Sequence, residues 1–355
     1  MLKIAYFIDD LHLGGAEKLL LQIISHLDPK KFEVVLITQK QEGVLFQALR
    51  SPMRCHVTHN PWTLFNILRK EKPHVFHSHL WRSDLFGIPI AKLAGVPCVC
   101  STKHNLRYFR GLTKIFIPLD MLCMHLCDRV FAISNAVKEY YQKRAGYRDV
   151  RFEVVHNGID LKPFLEMSRA KSFGDSESLQ MLTVANLIPQ KGHLKFLELL
   201  SRMMDLPWEW HLVGDGLLRK TLEKKVSVLR LESRVHFHGR QADVLPFYKK
   251  ADLFVLPSLW EGFGLVLLEA MASCVPIFAS NVDGVKEILE NEQTALLYDP
   301  RNLEESESKL RHIFGNPNLM DSFSEKSQKR VMEFSIEKTA ARYFQFYLSA
   351  LDEFP

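Results

Sequence analysis

Short apolar runs alternate with amphipathic stretches along this chain. Ile4–Ile8, Val34–Thr38, Val75–His77, Cys98–Thr102 and Val130–Ile133 have the length and composition of buried strands. Between them, Glu17–Leu27, Trp62–Glu71, Asp84–Leu93 and Leu119–Cys127 carry apolar residues at helical spacing. The second half repeats the pattern. Met181–Ala185, Glu209–Val213, Val235–His238, Leu253–Leu256 and Val275–Ala279 read as strands, and His193–Arg202, Leu217–Leu229, Leu245–Lys250 and Leu265–Ala272 as helices. Strand, helix, strand in regular succession predicts an α/β protein of two doubly wound parallel sheets. A polar stretch around Asp160 to Ser178 marks the joint, giving expected domains 1–165 and 166–334. Ser335 to Leu351 is one more amphipathic helix, offering Phe344, Phe346 and Tyr347 for packing, and could cross back to the first domain.

Length and composition agree with this division. A chain of 355 residues exceeds what one hydrophobic core usually supports, and its 47% apolar and 25% charged content is that of a globular protein. Ile4–Ile8 is stopped at once by Asp9 and Asp10, too short for a signal-peptide core. No run reaches the roughly 18 apolar residues of a spanning helix. A cytoplasmic protein is expected. The six cysteines contain no Cys-x-x-Cys pair, and Cys123 and Cys127 are expected to be reduced thiols rather than zinc ligands. Charge is uneven: residues 1–160 carry 22 basic against 14 acidic side chains, a net of +8, and the remainder is net −3. The basic half is expected to face something anionic, such as a lipid surface or a phosphate-bearing acceptor. Nucleic acid is not expected, because no helix-turn-helix, RNP or zinc-finger pattern occurs.

The richest chemistry lies in Leu259-Trp260-Glu261-Gly262-Phe263-Gly264-Leu265 and the helix that follows, which contains Glu269. Gly262 and Gly264 leave backbone N–H groups uncovered at a helix start, a setting that suits phosphate. Carboxylates accept hydrogen bonds from sugar hydroxyls, so amides and acids together suit a nucleotide sugar, with Glu261 on the hexose and Glu269 on the ribose. A glycine turn that merely caps a helix, with Glu269 exposed, fits the same spacing.

This stretch resembles the Glu-x7-Glu signature of the GT4 family of GT-B-fold glycosyltransferases, with seven residues between Glu261 and Glu269. The likeness continues through Glu269-Ala270-Met271-Ala272 and Val275-Pro276 to Val282-Asp283-Gly284, a glycine loop before Glu287. Gly14-Gly15-Ala16-Glu17 is similar to the family's glycine loop near the donor phosphates. Asn157-Gly158-Ile159-Asp160 is similar to the motif before the linker, and Val213-Gly214-Asp215-Gly216 to its second-domain turn. The family often has Gly-Arg-Leu where this chain has Ala185-Asn186-Leu187; the Lys191 that follows is retained. The resemblance implies two Rossmann-like domains facing across a cleft. The donor-binding set would be Gly14, Gly15, Asn186, Lys191, Gly214, Arg240, Gly262, Phe263, Gly264, Leu265 and Glu269, with Glu261 and His104 at the transferred sugar.

His77-Ser78-His79-Leu80-Trp81 has two alternating histidines that hint at zinc. No third ligand stands at suitable spacing, so His79 and Trp81, with Arg107 and Tyr108, are assigned to the acceptor side. Lys103 to Lys114 interleaves basic and aromatic residues before an apolar segment, as membrane-surface elements do; a helix packed on its own domain fits equally. No Asp-x-Asp occurs anywhere, so the diphosphate is expected to be met without metal, by amides and Lys191. The resemblance thus implies a retaining, metal-independent glycosyltransferase. It would move a hexose-type sugar from a UDP- or GDP-sugar to a glycan or lipid-linked acceptor in surface polysaccharide or lipopolysaccharide synthesis, at the inner face of the membrane. A degenerate nucleotide-sugar-binding protein, or a GT-B phosphorylase or epimerase, shares the same architecture.

Overall fold

A computed structural model of the chain describes residues 1–12, 14–40, 54–106, 111–144, 146–167 and 177–353, which fall into two units. The first comprises Met1–Ile159 with the segment from Ile336, and the second Asp160–Ser335. The division follows Ile159 rather than residue 165, because Phe164 packs edge-on against Tyr248 of the second unit at 5.8 Å. Of the polar joint, residues 168–176 lie outside the described residues.

Among the described residues the first unit has seven parallel strands: β1 (Leu2–Ile8), β2 (Phe32–Thr38), β3 (Arg54–Val57), β4 (Val75–His79), β5 (Cys98–Lys103), β6 (Arg129–Ala132) and β7 (Phe152–Val154). Their order is β3-β2-β1-β4-β5-β6-β7, so the winding reverses between β1 and β4. Ligands of open α/β sheets bind beyond the carboxyl ends of strands at such a reversal. Here those ends are Ile8 and His79, which are register partners. Strands β3 and β7 go beyond the apolar runs: β3 is only half-buried, and β7 has three residues.

The helix Ile336–Glu353 completes this unit's core. Tyr343 and Tyr347 are fully buried, Phe344 packs on Phe32 at 5.1 Å and Phe346 on Phe131 at 5.2 Å. Ile336 N–H donates to the Ile159 carbonyl at 2.9 Å, fixing where the returning chain joins. Behind β5 the core contains a charge cluster with no solvent exposure. Lys103 Nζ donates to Asp84 Oδ2 at 2.9 Å and to Asp120 Oδ1 at 2.7 Å. Tyr147 and Ser101 hydroxyls satisfy the remaining oxygens, at 2.5 Å to Asp120 Oδ2 and 2.7 Å to Asp84 Oδ1. Burial pushes the Asp84 carboxyl up, with Lys103 opposing the shift.

The second unit has six parallel strands among its described residues: β8 (Leu179–Val184), β9 (Trp208–Val213), β10 (Val235–Gly239), β11 (Leu253–Leu256), β12 (Ile277–Ser280) and β13 (Leu296–Tyr298). The order β10-β9-β8-β11-β12-β13 places its reversal between β8 and β11. Trp208, Trp210, Leu197 and Phe196 anchor the core on one face. Helices Leu303–Phe314 and Pro317–Arg330 follow the sheet; the first is capped by Asn302, whose side chain accepts from Glu305 N–H at 3.1 Å.

Candidate active site

The two loops that leave the β8/β11 reversal are tied together, and they carry Lys191 and Glu261. Leu259 N–H donates to the Gln190 carbonyl at 2.8 Å, and Gln190 Nε2 donates to the Trp260 carbonyl at 3.1 Å. Gly192, at φ +69°, makes the approach possible: a Cβ there would lie 1.8 Å from the Pro257 carbonyl oxygen. Gly284 does the same from the other side, where a Cβ would meet the Glu261 carbonyl oxygen at 2.5 Å and the Gly262 carbonyl carbon at 2.6 Å. Between these glycines the Glu261 carboxylate is buried. Its Oε1 accepts from Ser258 Oγ at 2.7 Å and from Lys191 Nζ. Residues separated by 70 positions thus meet in one ion pair. Ser258 joins the site beyond the residues that the sequence motif marks, and a hydroxyl three residues before a loop carboxylate is its local signal.

The helix Leu265–Ala272 begins at Gly264, which takes the left-handed conformation at φ 103° that favours glycine. Leu265 at its start is half-buried, whereas Phe263 turns inward and packs edge-on against Phe334 at 5.8 Å. Any contact of Phe263 with a ligand is therefore through its backbone. Glu269 is half-buried and accepts a hydrogen bond from the buried Tyr248 hydroxyl at 2.8 Å, a partner without a local sequence signal. Gly214 lies against the turn after β8, where a Cβ would be 2.0 Å from the Ala185 carbonyl oxygen. Asn186, in that turn, and Arg240, just after β10, are both exposed.

In the first unit the structure gathers three histidines at the ends of β4 and β5. His79 Nδ1 lies 2.9 Å from His104 Nε2, and the His77 and His79 rings are 4.3 Å apart. The third histidine that local spacing lacked is supplied by the neighbouring strand. His77 is nonetheless committed elsewhere, to Tyr347 Oη through Nδ1 and to Thr102 Oγ1 at 2.7 Å through Nε2. Burial lowers His104 to about 3, with Lys103 adding to the effect, and lowers His77 to about 3, with His104 adding. His79 is held well below its ordinary value for the same reason. These imidazoles stay neutral at physiological pH, fitting hydrogen bonding rather than proton delivery.

Leu80, next to His79, has φ 72° and ψ 150°, a region almost reserved for glycine and costing about 1–3 kcal/mol. Trp81 follows, half-buried, 5.8 Å from Phe116. Arg107 and Tyr108 lie outside the described residues. At the end of β1, Gly14 caps the helix Gly15–Ser25, and Gly15 is exposed at its first turn. The Glu17 carboxylate folds over this turn, so a Cβ on Gly14 would lie 2.1 Å from Glu17 Oε2. Burial, reinforced by Asp10 and Asp9, raises Glu17 to about 7. The Glu17 carboxylate therefore sits against the glycine turn with Asp9 and Asp10 near it.

Two parallel α/β units, the second with its strand-end loops tied at the sheet reversal, fit a GT-B transferase architecture, and comparison with known proteins agrees. The model for glycosyl transferases group 1 matches residues 166–330, and the Glycosyltransferase Family 4 model matches residues 13–163. The chain belongs to this GT4-type family and is a glycosyltransferase. It is 26% identical over 364 aligned residues to UDP-Gal:alpha-D-GlcNAc-diphosphoundecaprenol alpha-1,3-galactosyltransferase of Escherichia coli, covering 95% of this chain and 94% of that protein. Anabaena Alr3699/HepE, solved in complex with UDP and glucose, superposes with a TM-score of 0.84 at 18% identity, covering 98% of this chain and all of that one (100%). The lipopolysaccharide outer core galactosyltransferase WaaB, in its apo form, gives 0.76 at 18% identity over 97% of this chain and 99% of that one. At these identities the structural likeness carries the fold alone.

Proposed function

We propose that the protein is a retaining, metal-independent hexosyltransferase that takes its sugar from a UDP-sugar and passes it to a lipid-linked glycan. The observation that carries this reading is the Lys191–Glu261 pair, held at the β8/β11 reversal by two glycine contacts. The cation is chemically matched to a diphosphate and the carboxylate to sugar hydroxyls, with the Gly262–Gly264 amides beside them. UDP is preferred over GDP because the E. coli relative is named for UDP-Gal and HepE was solved with UDP. Metal independence rests on the absence of Asp-x-Asp from the whole sequence.

In this mechanism the acceptor hydroxyl attacks the anomeric carbon from the face that the diphosphate leaves. The new carbon–oxygen bond forms as the bond to phosphate breaks, and the hydroxyl proton passes to the departing phosphate oxygen. The second unit binds the donor, and the neutral His79–His104 pair in the first unit offers hydrogen bonds to the acceptor. A panel of UDP-, GDP- and ADP-sugars should give slow nucleotide release with a UDP-sugar alone, undiminished by EDTA. Release from none of them, or loss of turnover with EDTA, overturns the reading.

The acceptor side has its own support. Leu112, Ile115, Phe116, Leu119, Leu122 and Leu126 follow helical spacing and are all exposed, reaching 89% at Leu112 and 73% at Ile115. Asp120, Cys123 and Met124 point the other way, into the unit. Exposed Lys114 and the net charge of +8 over residues 1–160 complement anionic headgroups. No helix among the described residues is long and apolar enough to cross a membrane. The face is therefore assigned to rest on an anionic lipid surface, where a lipid-linked acceptor is presented. Vesicles containing phosphatidylglycerol should co-sediment the protein, and the double substitution Leu112→Glu, Ile115→Glu should abolish this. Unchanged sedimentation of the double variant rules the surface out.

A further inference from the structure

The face of the second sheet opposite its core carries metal-ligating side chains that the donor loops do not use. Residues i and i+2 of a strand share a face. Glu209 and His211 do so on β9, His236 and His238 on β10, and the register sets His236 beside His211. The alternate residues Trp208, Trp210 and Val235 turn into the core. Strand β10 is the edge of the sheet, and the Glu209 and His236 side chains remain 35% and 34% exposed. An ion can thus reach the cluster from solvent.

One ligand atom each from Glu209, His211 and His236 lies within 4.8 Å of the others, the one such group among the described residues. His236 Nε2 is 2.9 Å from Glu209 Oε2, and His211 Nδ1 is 3.0 Å from His238 Nε2. The surrounding hydrogen bonds are those of ligand support. Gln180 Oε1 can only accept, so its 2.8 Å contact fixes the proton of His211 on Nε2 and leaves the Nδ1 lone pair facing His238. Ser178 Oγ and Gln180 Nε2 donate to Glu209 Oε1 at 2.9 and 3.3 Å, leaving Oε2 toward His236.

We propose that Glu209, His211 and His236, with His238 as fourth neighbour, bind a divalent transition metal of the zinc type. Imidazole-rich sets with one carboxylate suit zinc, copper or nickel and disfavour magnesium and calcium. The site lies on the edge pair β10/β9, on the far side of β8 from β11. Its metal clamps the edge strand and takes no part in sugar transfer.

Calorimetric titration of the full chain with Zn²⁺ should give one saturable site that Mg²⁺ does not occupy. The double variant His211→Ala, His236→Ala, and separately Glu209→Gln, should weaken that site by at least about tenfold. Cobalt substitution should give visible bands without sulfur-to-cobalt charge transfer, separating this site from the six cysteines. Absence of saturable Zn²⁺ binding, binding unchanged in both variants, or a sulfur charge-transfer band lost on cysteine blocking overturns the proposal.

Discussion

Replacing Glu261 with glutamine leaves the fold intact and lowers turnover on the order of 10²-fold. Glutamine has the same shape, and its amide oxygen can still accept from Ser258 Oγ, now 2.7 Å from Glu261 Oε1. What disappears is the charge. Hydrogen bonds to an ionised group are worth about 1.5–3 kcal/mol, and about 1.4 kcal/mol is a factor of ten in rate. Losing one such bond to the transferred sugar, together with the counter-charge that orients Lys191, accounts for the expected loss. The check is the rate of nucleotide release from the UDP-sugar that the unsubstituted protein turns over, beside a thermal melt of both proteins. Near-normal turnover with an unchanged melt removes Glu261 from the mechanism.

The second large effect concerns stability. Lys103→Met should destabilise the first unit by about 3–5 kcal/mol, because it leaves Asp84 and Asp120 facing each other where no water reaches. The unsubstituted cluster is itself no great source of stability, since three charges have been stripped of solvent to make it. Lys103→Met combined with Asp84→Asn and Asp120→Asn should therefore recover a substantial part of the loss. Urea denaturation of the three proteins decides this. A single variant as stable as the parent, or a triple variant worse than the single one, contradicts the account.

Much of the architecture is legible in the chain because the central strands of both parallel sheets are covered on both faces. Those strands consequently appear as unbroken apolar runs such as Ile4–Ile8 and Leu253–Leu256. Strands that depart from this rule disappear from view. β3 is half-buried, and β7 and β13 have three residues each, too few for any period to register. The same limit governs the site. Glu261 and Lys191 announce themselves as loop residues after strands, but their meeting is set by the adjacency of β8 and β11. Likewise, β4/β5 register brings His104 to His79 across 25 positions. Asn186 draws attention as a missing arginine, yet the nearest cation to Glu261 is Lys191, five positions along the same loop.

The return of the helix Ile336–Glu353 to the first unit has a consequence for biosynthesis. His77 and Tyr347, 270 positions apart, share a hydrogen bond, and Tyr343 and Tyr347 form part of the wall of the core. A ribosome finishes every strand of the first sheet long before that wall exists. The second unit is continuous in sequence and can close its own core while the first still lacks a side. On the ribosome, the core of the first unit therefore stays open, with apolar surface uncovered, until the segment from Ile336 onward has emerged.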